Sequence, residues 1–97
     1  MEPQRAILTD AALEDLDAAI GWLQRENPRA AEAVFAAIEE VIALVASGVV
    51  DGRPAKLPTG EVVRRFVARS FVIYYRRDPD ALRVLHVHDG RRRPLER

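Results

Sequence analysis

The first half of the chain repeats apolar residues with the period of an α-helix. A short apolar run at 5–8 stops at Thr9, a residue type that caps helices, and apolar positions then recur every three or four residues over about 10–25. An Asn-Pro pair at 27–28 supplies a second cap and a first-turn proline, after which the same period holds to residue 47. This pattern predicts a strand followed by an antiparallel hairpin of two helices.

The second half changes to shorter runs rich in Val, Ile, Phe and Tyr, which suit β-strands. Three such runs, at 62–67, 71–77 and 82–88, are joined by short polar turns, so consecutive strands must pair antiparallel. Residues 48–60 hold Gly and Pro without a sustained period and are predicted to form a loop. The predicted class is α+β in a single domain over 1–97: an N-terminal strand, the helix hairpin and a three-stranded antiparallel meander that completes a small sheet.

Charge is distributed unevenly, although the formal net charge is zero. Residues 1–52 carry three arginines against ten acidic residues, a charge of −7, and residues 53–97 carry twelve Lys and Arg against five acidic residues, a charge of +7. A basic sheet beside acidic helices indicates a surface suited to polyanions or to an acidic protein. The basic tail at 91–97 has too little apolar content to fold alone.

Composition also argues against several classes of function. The absence of cysteine removes disulfide and thiolate chemistry, and two histidines give weak support for zinc, so we expect no metal and no cofactor. No stretch approaches the ~20 apolar residues of a membrane span, and the first residues lack the pattern of a secretion signal. We therefore expect a cytoplasmic protein that does not contact a membrane.

Six short motifs follow one another along the chain. They are Ala12-x-x-Asp15-Leu16-x-x-Ala19-Ile20-x-Trp22-Leu23, Asn27-Pro28-x-Ala30-Ala31, Gly52-Arg53-Pro54, Gly60-x-Val62-Val63-Arg64, Phe71-x-Ile73-x-Tyr75-Arg76, and Leu82-x-Val84-Leu85-x-Val87 closing on Gly90-Arg91-Arg92. Their order and spacing resemble the RelE/ParE toxin superfamily of bacterial toxin–antitoxin systems, and within it the ParE, plasmid-stabilisation branch. The resemblance implies a toxin that inhibits DNA gyrase without catalysis and is neutralised by a cognate antitoxin.

Two alternatives stay open. The RelE-like branch cuts messenger RNA on the ribosome, a reaction that needs an acid, a base and cations around the phosphate. The candidates for that chemistry are Arg64 and Arg76 as a phosphate clamp, His86 and His88 as groups that titrate near neutrality, and the Tyr75 hydroxyl. Many members carry histidine directly before the Gly-Arg-Arg-like tail, where this chain has Asp89. The second alternative is a member with weak or no toxicity that mainly binds its antitoxin.

The resemblance also implies a partner: an acidic antitoxin that folds on binding and forms a hetero-oligomer with the toxin. The helices cover one face of the predicted sheet, so its other face and at least one edge should stay uncovered, and an open edge can accept an added strand. Trp22, at the margin of the first helix's apolar stripe, is expected in the core. The residues predicted to contact a target or antitoxin are Arg53, Arg64, Arg65, Arg76, Arg91, Arg92 and Arg93.

Overall fold

Two helices lie against one face of a five-stranded sheet in the computed structural model, which describes residues 2–92 and Leu95. The elements in chain order are β1 (Ala6–Leu8), α1 (Asp10–Glu26), α2 (Pro28–Ser47), β2 (Arg53–Lys56), β3 (Val62–Ala68), β4 (Phe71–Arg77) and β5 (Leu82–Asp89). The strand order is β1-β5-β4-β3-β2, with β1 parallel to β5 and the other pairs antiparallel. The α+β class, the N-terminal strand, the helix hairpin and the β3–β5 meander are confirmed.

Side-chain caps set the ends of both helices. The Thr9 hydroxyl accepts a hydrogen bond from the Ala12 amide at the start of α1, and the Asn27 side chain accepts one from the Ala30 amide at the start of α2. Gly48 ends α2 with φ at 83°, a left-handed conformation that favours glycine. Because these caps act on neighbouring residues, the sequence pattern located both helices closely.

The prediction of a loop over 48–60 is wrong for residues 53–56, because these residues form the edge strand β2. The Leu57 amide donates to the Glu61 carbonyl at 2.9 Å, and hydrogen-bonded pairs alternate with non-bonded pairs along an antiparallel ladder. Pro54, which lies opposite Arg64, is therefore at a position whose amide side faces away from β3. The proline removes no ladder hydrogen bond there, so it does not prevent a strand.

Apolar residues are buried on both faces of the sheet. The main cluster lies between the helices and the sheet and includes Leu16, Ile38 and Tyr75. A second cluster occupies the opposite face, called the outer face below, so the expectation that this face is uncovered is wrong. Its buried members are Ala55, Leu57, Val63, Val72 and Tyr74, with Leu85 and Leu95 packed against them.

An irregularity in β5 changes which side chains face the helices. Tyr74 lies opposite His86 whereas Tyr75 lies opposite Val84, so Leu85 is an extra residue between them. Past this bulge, Val87 rather than His86 joins the cluster beneath the helices. The bulge therefore decides the direction of both histidines.

Helix α1 closes the edge of β5 beyond the three residues that pair with β1. The Thr9 hydroxyl donates to the Leu85 carbonyl at 3.1 Å, and the Asp15 carboxylate accepts the Val87 amide at 3.0 Å. These contacts use backbone groups that an unpaired strand would otherwise present to another chain.

No helix among the described residues is long and apolar enough to cross a membrane.

Candidate functional site

Tyr75 and Arg64 belong to a hydrogen-bonded cluster around Asp51. The Tyr75 side chain is fully buried, and its hydroxyl donates to the Asp51 carboxylate while accepting the Gly52 amide. Arg64 donates to the Gly52 carbonyl at 2.9 Å, and its Nε lies 3.8 Å from Asp51. Arg77 completes this set, called the Asp51 cluster, through a 3.2 Å contact with the carboxylate. The cluster ties the segment before β2 to the sheet.

The pKa values in the Asp51 cluster follow from these contacts. Burial and the hydrogen bond to Asp51 raise the pKa of Tyr75 from 10.0 to about 12. Burial alone would raise the pKa of Asp51, but hydrogen bonds from Tyr75 and Arg77 and the charges of Arg77 and Arg64 outweigh it and lower the pKa below 3.8. The phenol is therefore held neutral and the carboxylate ionised, a pairing suited to a structural contact.

Arg76 is held in a separate ion-pair network on the surface. Its guanidinium contacts Asp78 at 2.8 Å and Glu61 at 2.8 Å. Arg83, directly opposite Arg76 in the ladder, contacts Asp78 at 2.9 Å and Asp80 at 2.9 Å. Hydrogen bonding from Arg76 is the main cause that lowers the pKa of Asp78. The carboxylates thus neutralise two arginines that would otherwise repel each other across the strands.

The five candidates for RNA cleavage do not meet in one place. Arg64 lies opposite Tyr75 on the face that carries the helices, whereas His86 and His88 lie opposite Tyr74 and Val72 of the outer-face cluster. His86 also contacts Asp15, with 3.3 Å between Nδ1 and the carboxylate. Arg76 contacts acidic side chains, as described above. The registers therefore divide the candidates into two sets, with Arg64 and Tyr75 on the face that carries the helices and Arg76, His86 and His88 on the outer face.

Arg91 and Arg92 line a cleft between the second half of α1 and the end of β5. The Gly90 amide donates to the Ser70 carbonyl at 2.6 Å, and a Cβ at Gly90 would lie only 2.7 Å from that oxygen. Glycine is therefore required for this close approach, which fixes where the chain leaves β5. The Arg91 guanidinium contacts both oxygens of Asp89, at 3.1 and 3.0 Å, and these hydrogen bonds are the main cause that lowers the pKa of Asp89.

This cleft, of about 310 Å³, also contains a tryptophan. Trp22 is 54% exposed, so its predicted place in the core is wrong. It lies six residues after the buried Leu16, which turns it well away from the centre of the buried stripe of α1. We call this site the Trp22 cleft; its lining residues are Asp15, Ala18, Ala19, Trp22, Leu23, Phe71, Val87, His88, Asp89, Arg91 and Arg92.

The remaining predicted contact residues lie at the other side of the sheet or outside the description. Arg53 and Arg65 are ladder partners on β2 and β3, and both line a second depression beside the sheet edge. Arg93 lies outside the described residues. Among the residues that the structure describes, no group of three or more His, Asp or Glu side chains is placed to hold a metal ion.

Comparison with known proteins gives one family and one fold. Residues 6–94 match the family described as "ParE toxin of type II toxin-antitoxin system, parDE". A solved structure titled "Chromosomal ParDE TA system from P. aeruginosa" matches with a TM-score of 0.72 and 21% sequence identity, covering 89% of this chain and 95% of that chain. No curated protein is similar enough in sequence to count as a match.

Proposed function

Because the chain belongs to the ParE toxin family of type II toxin–antitoxin systems, we propose that it inhibits DNA gyrase by binding rather than by catalysis. The observation that carries this proposal is the family match, which extends over residues 6–94. A toxin of such a system has a cognate antitoxin, and we propose that the two proteins form a hetero-oligomer in the cytoplasm. The antitoxin would neutralise the toxin within that complex.

The geometry supports binding without chemistry. Tyr75 and Arg64 are engaged in the Asp51 cluster, and Arg76 contacts Asp78 and Glu61. The side chains that an RNA-cleaving site would require are on both faces of the sheet. A poison that acts by binding needs only a surface that fits its target. For that role, none of these side chains has to leave the contacts that it makes within the fold.

The Trp22 cleft is the surface that we assign to the target. Tryptophan and arginine are enriched among the residues that contribute most to protein–protein affinity, and Trp22 and Arg92 are both exposed at this cleft. Asp89 neutralises Arg91, whereas within the described part of the chain Arg92 makes no ion pair. The cleft therefore offers an apolar floor beside a cation.

A supercoiling assay with purified gyrase tests this function. Titrated wild-type protein should inhibit supercoiling, and its cognate antitoxin should relieve the inhibition. Trp22→Ala and Arg92→Glu should each raise the concentration needed for half inhibition at least tenfold, a change of about 1.4 kcal/mol. Lys56→Glu, at the far edge of the sheet, should leave it unchanged. Folded wild-type protein that leaves gyrase active and cleaves ribosome-bound messenger RNA would overturn the proposal in favour of a RelE-like nuclease.

A further inference from the structure

Strand β3 is longer than the edge strand beside it. β2 pairs only with residues 62–65, so residues 66–68 at the end of β3 have no partner on that side among the described residues. On its other side β3 pairs with β4 through to Ala68. The sheet therefore has a step in its edge at Phe66 and Val67.

The ladder pattern shows which backbone groups the step exposes. Since Leu57 and Glu61 form a hydrogen-bonded pair, the next bonded pairs along β2 and β3 are those of Val63 and Arg65. The backbone groups of Val67, two residues further, point to the same side. Within the described residues no strand lies opposite them. One amide and one carbonyl are thus available for pairing at the step.

The Asp51 cluster explains why β2 stops short of this position. The Gly52 amide is bonded to the Tyr75 hydroxyl on the helix-covered face, so the chain turns out of the sheet just before Arg53. A Cβ at Gly52 would lie 2.0 Å from the Arg65 carbonyl oxygen, which shows how closely the chain crosses β3 there. The segment before β2 therefore does not cover Val67.

A depression of about 450 Å³ adjoins the step, lined by Asp51, Gly52, Arg53, Arg65, Phe66 and Val67. We call it the β3 groove. The Val67 side chain is 51% exposed there, and the charge of Asp51 is engaged by Arg77 and Tyr75. Arg53 is exposed and makes no ion pair with any residue in the described part of the chain. The groove combines an apolar side chain, an open backbone pair and a cation.

We propose that the β3 groove binds an extended segment of the cognate antitoxin, which adds a short strand opposite Val67. This assignment rests on the proposed function, because it takes the partner to be the antitoxin. The segment should be apolar where it meets Val67 and acidic beside Arg53, since an ionised carboxylate complements that guanidinium. Strand addition supplies main-chain hydrogen bonds, and the groove selects the side chains.

The outward side of β2, and the part of β5 that extends beyond its pairing with β1, are less suited to this role. The outward side of β2 contains Pro54, which has no amide hydrogen to donate. The outward side of β5 is occupied by the hydroxyl of Thr9 and the carboxylate of Asp15. A strand could pair with neither edge without losing hydrogen bonds, whereas the step at Val67 requires no rearrangement.

Amide hydrogen exchange measured by NMR on the full chain tests the inference. The probe is the synthetic peptide acetyl-Glu-Val-Glu-Val-Glu-Val-Glu-amide at millimolar concentration, and the control is the peptide with lysine at each glutamate. The acidic peptide should slow exchange of the Val67 amide at least tenfold and shift resonances of Phe66 and Arg53. The lysine peptide should do neither. Absence of Val67 protection, or shifts confined to Trp22 and Arg92, would overturn the proposal.

Variants separate this inference from the proposed function. Val67→Pro removes the outward amide without removing a bond to β4 and should weaken peptide binding at least tenfold, whereas Val67→Thr keeps the amide and should bind normally. Arg53→Glu should weaken binding to a similar extent, with Arg29→Glu on α2 as the matched control. These groove variants should still inhibit gyrase but resist relief by the antitoxin. If the antitoxin relieves gyrase inhibition by folded Val67→Pro and Arg53→Glu proteins as well as it does for the wild type, the β3 groove is not its binding site. The proposal that the protein inhibits gyrase would still stand.

Discussion

Replacing Tyr75 by phenylalanine should lower the free energy of unfolding by about 2–3 kcal/mol, because it removes the hydroxyl at the centre of the Asp51 cluster. The ring stays buried, so the packing term is preserved. A hydrogen bond to a charged group contributes roughly 1.5–3 kcal/mol, and 30% exposure of the Asp51 side chain favours the lower end. The Gly52 amide also loses its acceptor, at a cost of about 1 kcal/mol for a partly buried donor.

Urea unfolding followed by circular dichroism measures this loss of unfolding free energy, and thermal unfolding measures the accompanying fall in melting temperature. For a domain of this size each kcal/mol lowers the melting temperature by about 4–8 °C, so the Tyr75→Phe variant should melt about 8–24 °C below the wild type. The slope of the unfolding free energy against urea concentration should not change, since unfolding exposes the same surface area in both proteins. A loss below about 0.5 kcal/mol would refute the view that this hydroxyl holds the segment before β2 in place.

Alkaline titration gives an independent check on the same contact. The pKa of Tyr75 in the folded protein, about 12, lies above the unfolded value of 10.0, because burial and the bond to Asp51 disfavour the phenolate. Its stabilising effect is therefore complete below pH 10 and is lost as the pH rises to about 12. The difference in unfolding free energy between wild type and Tyr75→Phe should shrink over this interval. A constant difference would show that the hydroxyl does not titrate within the cluster.

Substitutions at three further positions test the local geometry by equilibrium unfolding. Gly52→Ala should destabilise the protein by at least about 3 kcal/mol or prevent folding, because its Cβ would meet the Arg65 carbonyl at 2.0 Å; a neutral effect would contradict that approach. Asp15→Ala should cost about 1–3 kcal/mol by leaving the Val87 amide unpaired, and Asp15→Asn, which keeps an acceptor, should cost less. Arg69→Gly should stabilise by about 1 kcal/mol, since Arg69 has φ at 55°, and a loss of stability would show that its side chain outweighs the strain.

The parts of the fold that could be predicted from sequence depend on neighbouring residues. Thr9 and Asn27 cap helices within three or four positions, so the pattern alone located α1 and α2. β2 could not be found this way, because Pro54 reads as a strand breaker unless the direction of its amide is known. The outer-face cluster could not be found this way either, because Leu95 packs against Tyr74 and its neighbours, which lie far from it in the sequence. A local pattern carries no signal for such contacts.

The candidate site was harder to predict, because arginines that bind a partner and arginines that hold the fold have the same sequence signal. Arg76 differs from Arg92 only in having Asp78 and Glu61 beside it, and Glu61 lies fifteen positions away. Trp22 is not in the core because its position in the stripe is marginal, and in the structure it lines a cleft together with residues at and after the end of β5. Its place at the edge of the stripe was the one available signal.

The position of β5 between β1 and β4 has a consequence for synthesis of the protein on the ribosome. β5 is the last strand of the sheet to be made, yet it pairs with β1 on one side and β4 on the other. Contacts between residues so far apart in sequence form late, since the chain must first close a long loop. A nascent chain therefore has neither a finished sheet nor a Trp22 cleft until residue 92 has emerged. Under the function proposed above, a chain could not bind its target until its synthesis is nearly complete, which takes several seconds at about 5–20 residues per second.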